Sequence, residues 1–263
     1  MYWLWTVCFN LSFRGNGLDR KETDPFDPGN DPGHGRQSAA REGKARSLYE
    51  SDAELRATGF TMATTKVNTR AEIVRKGAQL IHAQGYKATG IQQILDAVGI
   101  PKGSFYFYFK SKDDFGCAVI DYFSLSIGEI FTGHLRDAGM TPFERLNKLL
   151  DYYESAFKKS GATLGCPIGN LSLELADANE ELRKRLQAAV EGFITQIEFF
   201  LKEAKKSGQL PSGLNTADTA SLIFHGLEGA ILHMKVVKSV KPIRTFRRYL
   251  NAYLAGNKNM EVL

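Results

Sequence analysis

The sequence is poor in the residues that build reactive or stapled sites. Cys8, Cys117 and Cys166 are an odd number without paired spacing. That excludes a disulfide framework and a cysteine zinc site, and it suits a reducing compartment. The histidines at 34, 82, 134, 225 and 233 share no metal-ligand spacing. Neither a phosphate loop nor a nucleophile elbow occurs, so no enzyme activity, metal or cofactor is expected. Period-2 strands and internal repeats are missing too. The apolar run Tyr2 to Phe13 is too short to cross a bilayer. It also lacks the basic start and the cleavage site of a signal peptide. No other apolar run looks long enough, which implies a cytoplasmic protein with no membrane partner.

What is present is an uneven charge distribution. The net charge is +5 over 263 residues. From Met62 to Lys112 there are eight Lys/Arg against two acids, Glu72 and Asp96. The first 61 residues carry eight bases and nine acids, and the stretch after Lys112 balances at 18 against 18. The basic excess therefore lies in one short segment, as in a module that meets a polyanion; a solvated basic face is the alternative.

Residues 1–61 read as a disordered extension. Pro25, Pro28, Gly29, Pro32, Gly33 and Gly35 crowd together there, and only a short helix at 45–57 is suggested. Met62, just before the first strongly periodic stretch, is an alternative start. From about Val67 the apolar spacing is helical almost to the end, so the fold class is all-α. A first helix at 68–84 places Ile73, Gly77, Leu80 and Ile81 on one face and stops at Gly85. Thr89 and Gln92 have capping-box spacing before a short second helix with Ile91, Ile94, Leu95 and Val98 inward. Gly99 turns the chain, and Pro101 opens a third helix over 102–109. Longer helices are expected at 112–135, 142–159, 168–177, 179–207, 216–238 and 242–254.

Two short helices around a glycine turn, in a basic surround, form a helix-turn-helix at about 90–109. In such a unit the later helix enters the major groove. Phe105 and Phe109, four apart, anchor it to its own core; Lys102, Ser104, Tyr106 and Tyr108 then point outward, and Gly103 lets the backbone approach DNA. Lys112 is placed to neutralise a phosphate. The competing reading makes the tyrosines core residues.

The run from Ile91 to Lys112, with Gly99-Ile-Pro-Lys-Gly-Ser-Phe-Tyr-Phe-Tyr-Phe-Lys-Ser-Lys112 at its centre, resembles the DNA-binding domain of the TetR family. The resemblance covers residues 67–125. It implies a three-helix DNA-binding domain followed by a helical ligand-binding and dimerisation domain at 126–256. It maps DNA contacts onto Gln92, Lys102, Gly103, Ser104, Tyr106, Tyr108 and Lys112. Its partners would be double-stranded DNA at a palindromic operator, a second copy of the chain, and an unidentified small-molecule inducer. Residues 1–61 lie outside it.

Gly165 to Leu175 resembles a stretch of many family members, some of which sense electrophiles or oxidants at a cysteine here. Cys166, at a helix start, would gain thiolate character from the helix end, more so with Lys235 nearby; a small packing residue is the other reading. Dimerisation is expected through 216–238 and 242–254, on a face made by Leu222, Ile223, Leu227, Ala230, Ile231 and Met234 with Gly226 and Gly229. The functional expectation is a repressor released by a small molecule or an electrophile. The alternative is a nonspecific or architectural DNA-binding protein without an inducer.

Overall fold

A computed structural model describes residues 60–137 and 139–256, with side chains from Thr69 onward. The expectations for the first 59 residues, the helix at 45–57 among them, lie outside the described residues. Every regular element among the described residues is helical. In chain order they are α1 (Phe60–Gln84), α2 (Ile91–Val98), a 3-10 helix (Lys102–Phe107), α3 (Lys112–Leu135), α4 (Pro142–Lys159), α5 (Pro167–Leu175), α6 (Glu180–Lys206), α7 (Thr216–Val237) and α8 (Lys241–Leu254).

The two turns of the basic segment use glycines in the left-handed region, where a Cβ is strained. Gly85 has φ 94°, and its N–H donates to the Ile81 carbonyl at 2.8 Å. Gly99 has φ 78° and closes α2 with its N–H directed at the carbonyls of Leu95 and Asp96. Between them the expected capping box does not form. Gly90, not Thr89, caps α2, and no side chain bonds to its first turn. Thr89 is fully buried and its hydroxyl donates back to the Gly85 carbonyl at 2.7 Å. Burial leaves the hydroxyl the nearest unpaired carbonyl rather than a forward amide. Ser111 does cap α3, accepting from the Asp114 amide at 3.1 Å, while the Asp114 carboxylate accepts from the Lys110 amide at 2.8 Å. A capping box that the sequence reading missed joins Thr141 and Glu144 at the start of α4.

Ile73, Val74, Ala78 and Ile81 of α1 pack with Ile94, Leu95, Phe105, Phe109 and Phe115 into the core of the head. Leu80 is only half-buried. α3 then carries Phe123, Ile127 and Phe131 into the core of the body, so one helix of about 36 Å serves both. In the body α6 packs against α3 and α7, and α8 lies along α7. Arg145 of α4 is buried. It donates to the carbonyls of Met140 and Leu135 and to Glu203 of α6 at 2.7 Å, so its charge and the end of α3 are satisfied together.

α3 and α7 are each long and apolar enough to cross a membrane by length and composition, which corrects the expectation that no such run exists. Half of α3's apolar window is buried in the chain's own core. α7's is less covered.

Gly77 faces Phe115: a Cβ there would lie 2.3 Å from Phe115 Cζ, and Phe115 is fully buried. Gly77→Ala is therefore expected to destabilise by about 1–2 kcal/mol, overpacking outweighing the helix preference for alanine. Denaturant unfolding checks this, and a gain in stability would show that Phe115 has room to move.

Candidate nucleic-acid interface

The 3-10 helix is wound more tightly than the α-helix expected at 102–109. Its bonds run from Ser104 N to Pro101 O and from Tyr108 N to Phe105 O, both 2.9 Å. Phe105 and Phe109 are 0% and 1% exposed, and with Phe115 they form three ring pairs at 5.1 to 5.8 Å between centroids. Those rings hold the short helix to the head, as the four-residue spacing implies.

The winding decides which neighbours stay outside. Side chains three apart eclipse in a 3-10 helix, so Tyr108 falls in register with the buried Phe105. Tyr108 is half-buried and packed against the core, which corrects its outward assignment. Ser104 is also half-buried. Lys102 and Gly103 are exposed, and Tyr106 is 66% exposed. Phe107 is 77% exposed and was not among the expected contacts. Nothing in a run of alternating Phe and Tyr marks which phenylalanine lacks a core partner. Gln92 is exposed on α2 and donates to Asp96 Oδ1 at 2.6 Å.

Lys112 does not simply project from its helix end. Its ammonium donates to the Tyr86 carbonyl at 2.9 Å and stands 4.6 Å over the Tyr86 ring; partial burial pulls its pKa down. Tyr86, which the sequence reading passed over, is buried. The one proton of its hydroxyl is shared between the Lys112 carbonyl at 2.7 Å and Asp113 Oδ1 at 3.0 Å. Burial and Asp113 push the phenol far up, so it stays a donor. From the body, Glu174 of α5 accepts from the amides of Tyr86 at 3.2 Å and Lys87 at 3.1 Å. Asn179 reaches Asp113 at 2.8 Å. The turn after α1 is thus gripped from both sides.

Cys166 caps α5, where the Gly169 amide donates to its sulfur at 3.4 Å. The thiolate expectation is not met. Burial pushes the thiol well up, and the negative charge of Glu228, to which it donates, adds to that. Lys235 turns to Asn170 Oδ1, 3.3 Å away. The helix end is favourable for an anion, but burial and a carboxylate outweigh it.

The expected dimer face also needs correction. Ile223, Leu227, Ala230, Ile231 and Met234 are buried within their own chain. Gly226 is filled by the Phe246 ring, 2.6 Å from where a Cβ would be. Helical periodicity shows that a face is covered, not by which chain. The outer face carries Leu222, Leu232 and Val236, 54–73% exposed, in line with the exposed His225 and Gly229.

A helix-turn-helix with an exposed basic and aromatic short helix, carried on a larger helical body, defines a DNA-binding transcriptional regulator. Residues 73–115 match the family described as bacterial regulatory proteins of the tetR family, and residues 142–250 match the tetracyclin repressor-like C-terminal domain. The chain is 31% identical to the transcriptional repressor DhaR of a Mycobacterium species over 70% of this chain and 90% of that one. It is 30% identical to the transcriptional regulator AcuR of Cereibacter sphaeroides over 67% of this chain and 80% of that one. A TetR regulatory protein from Rhodobacter sphaeroides has a similar solved structure, with TM-score 0.66, 28% identity and coverage of 70% and 97% of the two chains. The chain belongs to the TetR family of transcriptional regulators, whose members bind operator DNA and act as dimers.

Lys102→Ala is expected to reduce the salt slope of DNA binding by about one, with no change in melting temperature. Tyr106→Ala should likewise leave stability intact and cost about 1–3 kcal/mol on the operator. Salt-dependent gel shifts and thermal melts check both; unfolding by Tyr106→Ala would place that ring in the core.

Proposed function

We propose that the chain is a repressor that binds a palindromic operator as a homodimer and releases it when a small molecule or an electrophile acts on the helical body. The observation that supports this best is the 3-10 helix, locked inside by Phe105 and Phe109 while Lys102, Gly103, Tyr106 and Phe107 stay uncovered. Exposed rings on a basic helix cost free energy unless something covers them, and a DNA groove is such a cover. In this reading residues 67–125 are the DNA-binding head and 126–256 the ligand-binding and dimerising body of a cytoplasmic protein. Gln92, Lys102, Gly103, Ser104 and Tyr106 meet DNA, with Phe107 added. Tyr108 contributes its edge only. Lys112 has given one of its three donors to Tyr86, which leaves two for a phosphate.

The dimer forms on the outer face of α7, where Leu222, His225, Gly229, Leu232 and Val236 recur at helical spacing, flanked by the exposed Tyr249 and Tyr253 of α8. Two helices from each chain make a four-helix interface. Two recognition helices then read half-sites about 34 Å apart. An inducer acts by preferring a different spacing, and it can shift the equilibrium only by its differential affinity. Leu232→Glu is expected to give a monomer by light scattering and to abolish operator binding at protein concentrations that saturate the unaltered protein. Gel shifts of the unaltered protein should favour an inverted repeat from the upstream DNA over its scrambled copy. Equal affinity for both would support the architectural alternative.

A thiol-triggered release is a second reading. It is favoured by the position of Cys166 at the α5 N-terminus with an amide already directed at the sulfur. The E. coli repressor NemR has a solved structure described as its reduced form, at 24% identity, a likeness that carries the fold alone. Burial first and Glu228 second hold the resting thiol protonated, so the switch requires Cys166 to be opened to solvent, Glu228 to be neutralised, or both. Glu228→Gln removes the charge that raises the thiol. N-ethylmaleimide should then label Cys166 several-fold faster at pH 8 than in the unaltered protein, with the buried Cys117 as slow reference. Unchanged labelling would remove Glu228 from the account.

A further inference from the structure

A cavity of about 360 Å³ lies where the end of α1 meets the body. His82 lines it from the head; Phe123 of α3, Asn170, Leu171 and Glu174 of α5 and Lys235 of α7 line it from the body. Phe123 and Leu171 give it apolar wall, and His82, Asn170, Glu174 and Lys235 give it polar groups.

The polar groups are unevenly matched. Lys235 takes part in none of the ion pairs among the described residues, and its ammonium holds only the neutral Asn170 side chain at 3.3 Å. Glu174, the carboxylate at the rim, is taken up by the Tyr86 and Lys87 amides. Glu228 of α7 is taken up by Cys166. His82 is half-buried, and the loss of solvent around its ring, with Lys235 adding to it, pulls its pKa down to about 4. Its Nε2 lies 3.0 Å from the Gly165 carbonyl, which places the proton on Nε2 and makes Nδ1 an acceptor. Nδ1 has no partner. A buried acceptor left open is costly, and a ligand bringing a negative charge and a proton would satisfy it and give Lys235 a counter-charge.

The cavity is also framed by the contacts that tie α5 to the head. His82 bonds to the Gly165 carbonyl just before α5, and Glu174 near its end bonds to the turn after α1. A molecule lodged there wedges between α1 and α5.

We propose that this cleft is an effector site for small organic monoacids with a short apolar body. The carboxylate pairs with Lys235 in place of Asn170 and faces the His82 ring, which takes a proton at Nδ1. The apolar part lies against Phe123 and Leu171. Occupancy loosens the grip of α5 on the head and lowers DNA affinity; this last step rests on the repressor reading above, whereas the binding site does not.

Calorimetry on the full chain without DNA tests the site, with benzoate as probe and benzamide as its uncharged counterpart. Benzoate should bind saturably at one site per chain, and benzamide about tenfold more weakly or worse. Repeating the titration at pH 6 in buffers of different ionisation heat should reveal proton uptake on binding. Lys235→Met should weaken benzoate by about tenfold or more. Because substitution of the half-buried His82 can perturb folding, its protonation is read in the unaltered protein by imidazole ¹⁵N shifts, with Nδ1 moving to the protonated position at saturation. Absence of saturable benzoate binding, equal binding of benzamide, or full binding by Lys235→Met overturns the acid site. Binding with no change at His82 overturns the proton step. In a separate gel shift, benzoate should weaken operator binding. Binding without that loss overturns the coupling, while failure of the ligand-free protein to prefer its operator sinks the repressor reading and leaves the calorimetric result standing.

Discussion

The turn at Gly85–Lys87 is held by two parts of the molecule at once, and the placement of the DNA-binding head depends on it. Two successive amides there, which leave the end of α1 without helical partners, are taken by one carboxylate of α5. The Tyr86 ring between them is buried, with its hydroxyl bonded to α3 and its carbonyl bonded to Lys112. Space is tight as well: a Cβ on Gly116 would come within 3.0 Å of the Tyr86 ring. Charge-assisted bonds to backbone amides are among the stronger hydrogen bonds, and a packed interior offers discrete arrangements rather than gradual deformation. The head is therefore seated on the body by a small set of directional contacts, set into a hydrophobic core that runs continuously from one to the other.

α5 is the element through which those contacts run. It has nine residues. Cys166 and the Gly165 carbonyl lie at its start, and Glu174 is near its end. A short helix bonded at both ends moves nearly as one piece, so a change at either end is felt at the other. Coupling of the proposed sites to the head would need a second arrangement of this helix that both sites bias. The thiol reading and the acid reading act on the same helix from neighbouring positions, one through Glu228 and Cys166, the other through Lys235 and His82.

The recognition segment works by a division of its aromatic residues. Phe105 and Phe109 spend their surface on the head's core, while Tyr106 and Phe107 keep theirs outside. The split falls within five residues, Phe105 to Phe109: the 3-10 turn ends at Phe107, and the chain beyond it brings Phe109 back against the core.

Much of this was legible in the chain itself. The all-helical class, the glycine stops at 85 and 99, the helix-turn-helix and the Phe105/Phe109 anchor follow from local spacing and backbone preference, which neighbours in sequence determine. What local pattern could not decide was every question of partner. Thr89 has the right spacing for a capping box, yet burial turned its hydroxyl backward. Ile223 to Met234 form a proper apolar stripe, yet their own chain covers them and leaves Leu222, Leu232 and Val236 for another. Lys112 and Cys166 have the residue types for a phosphate contact and a thiolate. The structure gives Lys112 a partner in Tyr86 as well, and sets Glu228 against Cys166, from 26 and 62 positions away in sequence. Periodicity says that a side chain will be covered and propensity says where a helix stops. Only the tertiary structure, by bringing distant charges and carbonyls within hydrogen-bonding reach, decides what does the covering and which protonation state survives there.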